Sequence, residues 1–337
     1  MKITVDRIYN RDSNIELARI VAMLMILALH AFNAYYWNSL SLQVTSQNII
    51  ALLGEAFTNC AVGLFVFISG WYGIKPKYRS FSNLVFQVLF YGFVIFLTAT
   101  LLAVSVSWKG LKDMVLLSNS LWFIKSYFLL YLLSPVLNSF VEKADKRQFQ
   151  LFLVSFFIFQ SIWGWTNTAA EFNYGLSVVF FVFMYLLARY MKLYPHKITT
   201  SSKYVYLGIY SASALLIAIV VFLKHYYGLS PLTEHMLLSY VSPLMVLCSV
   251  CLFLFFSKLQ FKSKIINWVS ASCLSVYLIH ANSLVLPLYQ NLVWGEYLNR
   301  HYLLFLATII GVFLFCILVD QLRRLIYSFI DRFLFKR

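Results

Sequence analysis

Apolar runs of about 20 residues recur along the chain, and each is long enough to cross the hydrocarbon core of a bilayer as a helix. The first reads "IELARIVAMLMILALHAFNAYY", residues 15–36. Ten spans are predicted: 15–37, 48–72, 83–106, 121–140, 148–165, 174–191, 204–223, 235–257, 266–289 and 302–320. Lipid offers no partner for backbone N–H and C=O groups, so spanning segments must be helices or a closed barrel. A barrel strand alternates in polarity. Runs such as "VVFFVFMYLLA", residues 178–188, do not alternate and are helical. Composition agrees: 61% of residues are hydrophobic and 12% charged, against about 45–50% and about 25% in soluble domains. The expected architecture is all-α, a polytopic membrane helical bundle, with residues 1–337 as one integral membrane domain and no room for a second, soluble one. The 19% aromatic share suits interfacial belts.

A net charge of +15 would suggest nucleic acid in a soluble protein. Here the cations cluster by loop. On the N-terminal side lie Lys2, Arg7 and Arg11; Lys75, Lys77 and Arg79; Lys143, Lys146 and Arg147; Arg189, Lys192, Lys197 and Lys203; Lys258, Lys262 and Lys264; and Arg323 onward. The opposite side holds only Lys109, Lys112, Lys224 and Arg300. This asymmetry predicts cytoplasmic termini and a multi-pass protein of the inner or plasma membrane. It also accounts for the basic excess without nucleic acid. Lys2, Arg7 and Arg11 before a run long enough to span read as an uncleaved signal anchor. Pro135, Pro243 and Pro287 fall inside predicted spans, where a missing N–H bends a helix. The five cysteines lie in apolar runs, and no C-x-x-C pair has histidines nearby. They read as small buried hydrophobes, with no disulfide framework and no metal site expected. No internal repeat is visible, which argues against an inverted-repeat transporter.

The first span is not uniformly apolar. It carries Glu16, Arg19, His30 and Asn33. Eleven residues at about 100° each make three turns, so Arg19 and His30 share a face, about 16 Å apart along the axis. Glu16 and Asn33 fall within about 60° of it. Ionisable groups inside a span line a cavity or pair with one another, because hydrocarbon penalises them by a few kcal/mol or more. The bland alternative is an i, i+3 pair of Glu16 with Arg19, whose guanidinium snorkels to headgroups. His30 lies too deep to snorkel. Glu55 in the second span has a matching depth, about 10 Å below the outer surface, where a carboxylate can fix an imidazole tautomer. Lys125 near the outer end of the fourth span and His280 in the ninth complete the set. For Lys125 the alternative is outward snorkelling, and for Glu55 and His280 a hydrogen-bonded core role.

These residues resemble a known family. Arg19-x10-His30 is similar to the arginine–histidine signature of the acyltransferase family 3 integral membrane proteins. "LFVFISGWYG", residues 64–73, resembles that family's F-F-x-x-S-G stretch. "LWFIKSYFLLYLLSPVLN", residues 121–138, resembles its tryptophan-bearing outer start of a later span, and "SCLSVYLIH", residues 272–280, its Y-L-x-H segment. The matches run in order from about residue 12 to 320. The resemblance implies an O-acyltransferase that moves an acyl group, often acetyl, from cytoplasmic acyl-CoA to a hydroxyl of a surface or lipid-linked glycan, with Arg19 and His30 as its essential residues. The family's Arg-x-x-Arg after the second span is replaced here by "IKPKYRS", so Lys75, Lys77 and Arg79 would take its place. Many members carry an extracytoplasmic hydrolase-like domain, for which this chain has no room.

A mechanism follows as an expectation. Lys75, Lys77, Arg79 and Arg19 hold the donor phosphates by charge-assisted hydrogen bonds. The pantetheine arm follows the first-helix stripe, which includes Asn33, and brings the thioester to His30. His30 acts as general base on the sugar hydroxyl, Glu55 orients it, and Lys125, His280 or Asn59 stabilises the oxyanion. Trp122 is a substrate-side candidate. An acyl-histidine route is the covalent alternative. The rival class is a transporter or flippase of a glycan or small solute, in which the same buried groups relay protons.

Overall fold

The computed structural model describes residues 11–39, 45–102, 121–165, 172–195, 197–228 and 232–334. Lys2, Arg7, Lys109, Lys112, Lys336 and Arg337, used above in the charge count, lie outside the described residues. Every regular element among the described residues is helical. The α-helices are α1 (Ser13–Ser39), α2 (Ser46–Thr58), α3 (Ala61–Tyr72), α4 (Tyr78–Leu101), α5 (Trp122–Lys143), α6 (Lys146–Trp163), α7 (Val178–Leu193), α8 (Lys203–Tyr226), α9 (Leu232–Leu238), α10 (Pro243–Ser257), α11 (Lys264–Ser270), α12 (Cys273–His280), α13 (Leu286–Leu298) and α14 (Tyr302–Leu334).

Among the described residues, seven segments are long and apolar enough to cross a membrane: Ser13–Asn33, Ser46–Tyr72, Tyr78–Leu101, Trp122–Lys143, Lys203–Tyr226, His235–Ser257 and Tyr302–Asp331. The predicted spans 148–165 and 174–191 correspond to α6 and α7, of 18 and 16 residues. The predicted span 266–289 is not one helix. It breaks into α11, α12 and the start of α13, with turns at Ala271–Ser272 and Ala281–Val285. The hydroxyls at the first break are drawn into side-chain bonds: Ser270 Oγ donates to Glu16 Oε2 at 2.5 Å, and Gln321 Nε2 donates to Ser272 Oγ at 3.2 Å.

The prolines act differently from one another. Pro135 lies within α5, where Ser134 Oγ donates to the Tyr131 carbonyl at 2.7 Å, the group that Pro135 cannot serve. Pro243 does not bend a continuous span. It stands at the first position of α10, after a break at Ser239–Ser242, where a missing N–H costs nothing. Pro287 sits in the first turn of α13, as its second residue.

The chain forms two compact units from interleaved segments. The first comprises residues 1–27, 76–125 and 262–337; the second comprises 28–75 and 126–261. In the first, α12, α13 and α4 pack on α14 and α12 packs on α4. In the second, α8 packs on α10 and α2, and α3 on α7 and α10. Small residues set the closest approaches there. A β-carbon at Gly70 of α3 would meet the Tyr185 carbonyl oxygen of α7 at 2.5 Å, so only glycine lets these two backbones touch. Seven residues earlier, on the same face, Gly63 abuts Ser249 of α10. Phe67, Phe180, Phe181, Phe183 and Phe253 are fully buried in this unit. Large apolar side chains such as Phe93, Leu97, Phe315, Leu318 and Leu322 stay exposed on α4 and α14. Such an apolar surface is stable against lipid tails and not against water. All five cysteines are buried and unbridged.

Candidate active site

The stripe on α1 is real as a helical feature: Arg19, His30 and Asn33 lie on one unbroken helix. Its two ends belong to different units, and each end is described within its own.

In the first unit, Arg19 Nη1 lies 3.0 Å from Glu16 Oε1, the i, i+3 pair. Glu16 is buried, receives the Ser270 hydroxyl, and lies 3.6 Å from Arg11 Nη1. One carboxylate thus serves two guanidinium groups. The Arg19 cation is partly compensated, and 28% of its side chain remains accessible.

His280 closes α12 and is fully buried. Its Nδ1 lies 2.6 Å from the Val276 carbonyl oxygen. A carbonyl only accepts, so Nδ1 carries a proton, and in the neutral form of the ring Nε2 is then the acceptor nitrogen. A neutral His280 therefore suits a base or acceptor role; donation to an oxyanion would require its imidazolium. Its ring packs edge-on against Tyr289, whose hydroxyl donates to the Leu27 carbonyl of α1 at 2.9 Å. Phe123 meets Tyr277 with ring centroids 5.6 Å apart, which brings the start of α5 beside α12. Trp122 there is half-buried. Lys125 is exposed, so its ammonium is open to solvation rather than enclosed in a dry site.

In the second unit, the Phe32 ring lies against Gly54, so the turn of α1 bearing His30 and Asn33 is packed on the turn of α2 bearing Glu55. His30 and Asn33 are half-buried and Glu55 is buried. The Tyr240 hydroxyl stands within electrostatic reach of the Glu55 carboxylate. Asn59, at the break between α2 and α3, donates its amide N–H to the Leu238 carbonyl. That bond ties the break to the end of α9 and engages one of its two amide hydrogens.

The sequence-predicted donor cations separate. Lys75 and Lys77 are exposed. Arg79 is paired through Nε and Nη2 with Asp331 at the far end of the sequence. Sequence reasoning passed over a buried polar cluster in the first unit. Asp320 and Arg323 of α14 are both buried and paired at 2.5 Å. Asp320 Oδ1 also accepts from Tyr91 at 2.7 Å and Ser275 at 2.5 Å, and Ser275 Oγ accepts from Gln87 at 2.6 Å. Its only signal in sequence is an acid and an arginine three residues apart at the end of an apolar run.

A helical bundle with membrane-length apolar helices and an ionisable stripe inside one of them defines a membrane-embedded enzyme or transporter. The comparison with protein families decides between them: the acyltransferase domain family, acyltransferase family 3, matches residues 12–320, nearly the whole chain. The chain belongs to that family and is a membrane acyltransferase. No curated protein and no solved structure matches it.

Proposed function

We propose that the protein transfers an acyl group, acetyl in the first instance, from cytoplasmic acyl-CoA to a hydroxyl of a surface or lipid-linked glycan. The observation that carries this reading is the α1 stripe: a partly compensated arginine at one end, and a half-buried imidazole at the other, packed turn against turn with the buried Glu55. The cation clusters on the N-terminal side support cytoplasmic termini and a donor arriving from that face. Ten spans, with α6 and α7 crossing as short helices and α11–α13 as a broken one, keep that alternation.

His30 takes the proton of the sugar hydroxyl as it attacks the thioester carbonyl. The C–S bond then breaks, and the CoA thiolate leaves toward the cytoplasm. Glu55 holds the imidazole in the tautomer whose other nitrogen faces the acceptor and stabilises its cation. Arg19 meets the anionic end of the donor by charge-assisted hydrogen bonds.

The test is label transfer from acetyl-CoA to the glycan fraction by the purified protein in lipid nanodiscs. His30→Ala, at equal expression, lowers the rate by about 10²–10⁴-fold, the usual worth of a positioned base. An unchanged rate removes His30 from the reaction. The rival reading is a transporter or flippase, in which the same buried groups relay protons. Solute movement across sealed vesicles without stable labelling of any acceptor would establish that reading instead.

A further inference from the structure

The acyl-donor reading asks for a cation that is free to meet phosphate. Of the arginines assigned to the donor so far, Arg79 is committed to Asp331 and Arg19 shares the Glu16 carboxylate with Arg11. Arg189, in the last turn and a half of α7, is not so engaged. Among the described residues it has no hydrogen bond and no ion pair, and its Nε is buried without a partner. The residue as a whole is half-buried. A guanidinium carries five donors and stays charged in any protein. Leaving a buried donor of a charged group unsatisfied costs more than any neutral case, so an anion bound at this position would relieve that cost.

What surrounds Arg189 fits that visitor. The guanidinium lies over Gly73, where α3 ends with φ +74. A β-carbon at Gly73 would stand 3.0 Å from Nη1, and the backbone there is one that side-chain-bearing residues avoid. The glycine therefore lets the guanidinium lie directly against the backbone at the end of α3, which fixes where its N–H edge can meet an oxyanion. One turn earlier on α7, the Tyr185 hydroxyl donates to Asn138 Oδ1 at 2.6 Å and accepts from the Ile74 N–H at 3.0 Å. Asn138 Nδ2 in turn donates to the Ile74 carbonyl at 2.9 Å. These three bonds fix the Gly73–Ile74 segment beneath the guanidinium. Lys192 donates to the Trp71 carbonyl at 2.8 Å, and Lys75 is exposed two residues past Gly73. The surroundings are cationic, and no described carboxylate pairs with Arg189.

We infer that Arg189, over the glycine clearing at Gly73, is a phosphate-binding residue, and that its ligand is the phosphate-bearing end of the acyl donor. The assignment of the donor rests on the function proposed above; the phosphate chemistry does not. A planar fork accepts two phosphate oxygens at once, which an ammonium cannot do. The same chemistry is present in an anionic lipid headgroup, and the experiment separates the two sources.

The protein in nanodiscs is assayed with acetyl-CoA and with phosphate-free S-acetylpantetheine. Arg189→Gln raises KM for acetyl-CoA by about 10–100-fold, the scale of a charge-assisted bond, with a far smaller effect on the pantetheine donor. Arg189→Lys restores part of the loss. Independently of any turnover, CoA raises the melting temperature of the wild type and not of Arg189→Gln. If phosphatidylglycerol, rather than CoA, gives that Arg189-dependent rise and the two donors respond alike, the phosphate is the lipid's and the donor assignment falls. If Arg189→Gln matches the wild type with CoA, with lipid and in donor preference, the phosphate site itself is overturned. A wild type that melts higher with CoA but transfers no acetyl group would sink the proposed activity and leave the Arg189 site standing.

Discussion

The ring of Phe32 rests against Gly54, and a β-carbon added there would stand only 2.3 Å from the ring's Cδ2. This contact sets the spacing of α1 and α2 at the level of His30 and Glu55. Gly54→Ala must displace the ring or the helices, and displacements on the order of 1 Å are enough to cost about 10²-fold in rate. A drop in kcat of about 10–100-fold is expected, with the donor KM little changed. Phe32→Ala in the same chain returns the space and part of the activity. Full activity in Gly54→Ala would show that this spacing does not matter to the chemistry.

Glu55→Gln keeps the shape of the side chain and removes its charge. If the carboxylate steadies the His30 cation, kcat falls by at least about tenfold while the donor KM holds. Steady-state kinetics on both substrates reads this directly. A loss confined to protein yield would instead assign Glu55 to the packing of α2.

Asp320 is the only charged partner of the buried Arg323 among the described residues. Removing one member of a buried pair leaves the other uncompensated and costs about 3–5 kcal/mol. Asp320→Asn is therefore expected to melt well below the wild type in detergent. Asp320→Leu combined with Arg323→Met deletes both charges and recovers most of the loss. A double variant as unstable as the single one would mean that the pair has a role beyond compensating charge.

Asp331 competes with any anionic ligand for Arg79. The arginine is half exposed, so the pair contributes no more than about 1 kcal/mol to stability. Asp331→Asn should leave the melting temperature nearly unchanged and lower KM for acetyl-CoA several-fold, as a freed guanidinium turns to phosphate. An unaltered KM would take Arg79 out of donor binding.

The sequence made the helical, membrane-spanning class legible because hydrocarbon permits so few backbone arrangements. It also exposed the Arg19–His30 stripe, since helical periodicity needs no tertiary knowledge. The breaks at Asn59–Cys60, Ser239–Ser242 and Ala271–Ser272 were hidden, because hydropathy runs straight through them. At the break near Ser272 the serine hydroxyl accepts from Gln321, 49 residues away, a partner no local pattern announces. Partnership was likewise unreadable. Arg79 and Asp331 are separated by 252 positions, and only their pairing shows that this cation is already occupied. Arg189 was counted as one loop cation among many; its isolation is a property of the fold alone.

The last helix, α14, has 33 residues, and at about 1.5 Å each it measures roughly 50 Å. A bilayer's oily interior accounts for only about 30 Å of that. Several turns must emerge at one end or the other, and the ion pair joining Asp331 to Arg79 lies at that overhang. Dissolved electrolyte can therefore loosen this clasp while every contact inside the oil stays as it was, giving the ionic composition at the membrane face a handle on where α4 begins.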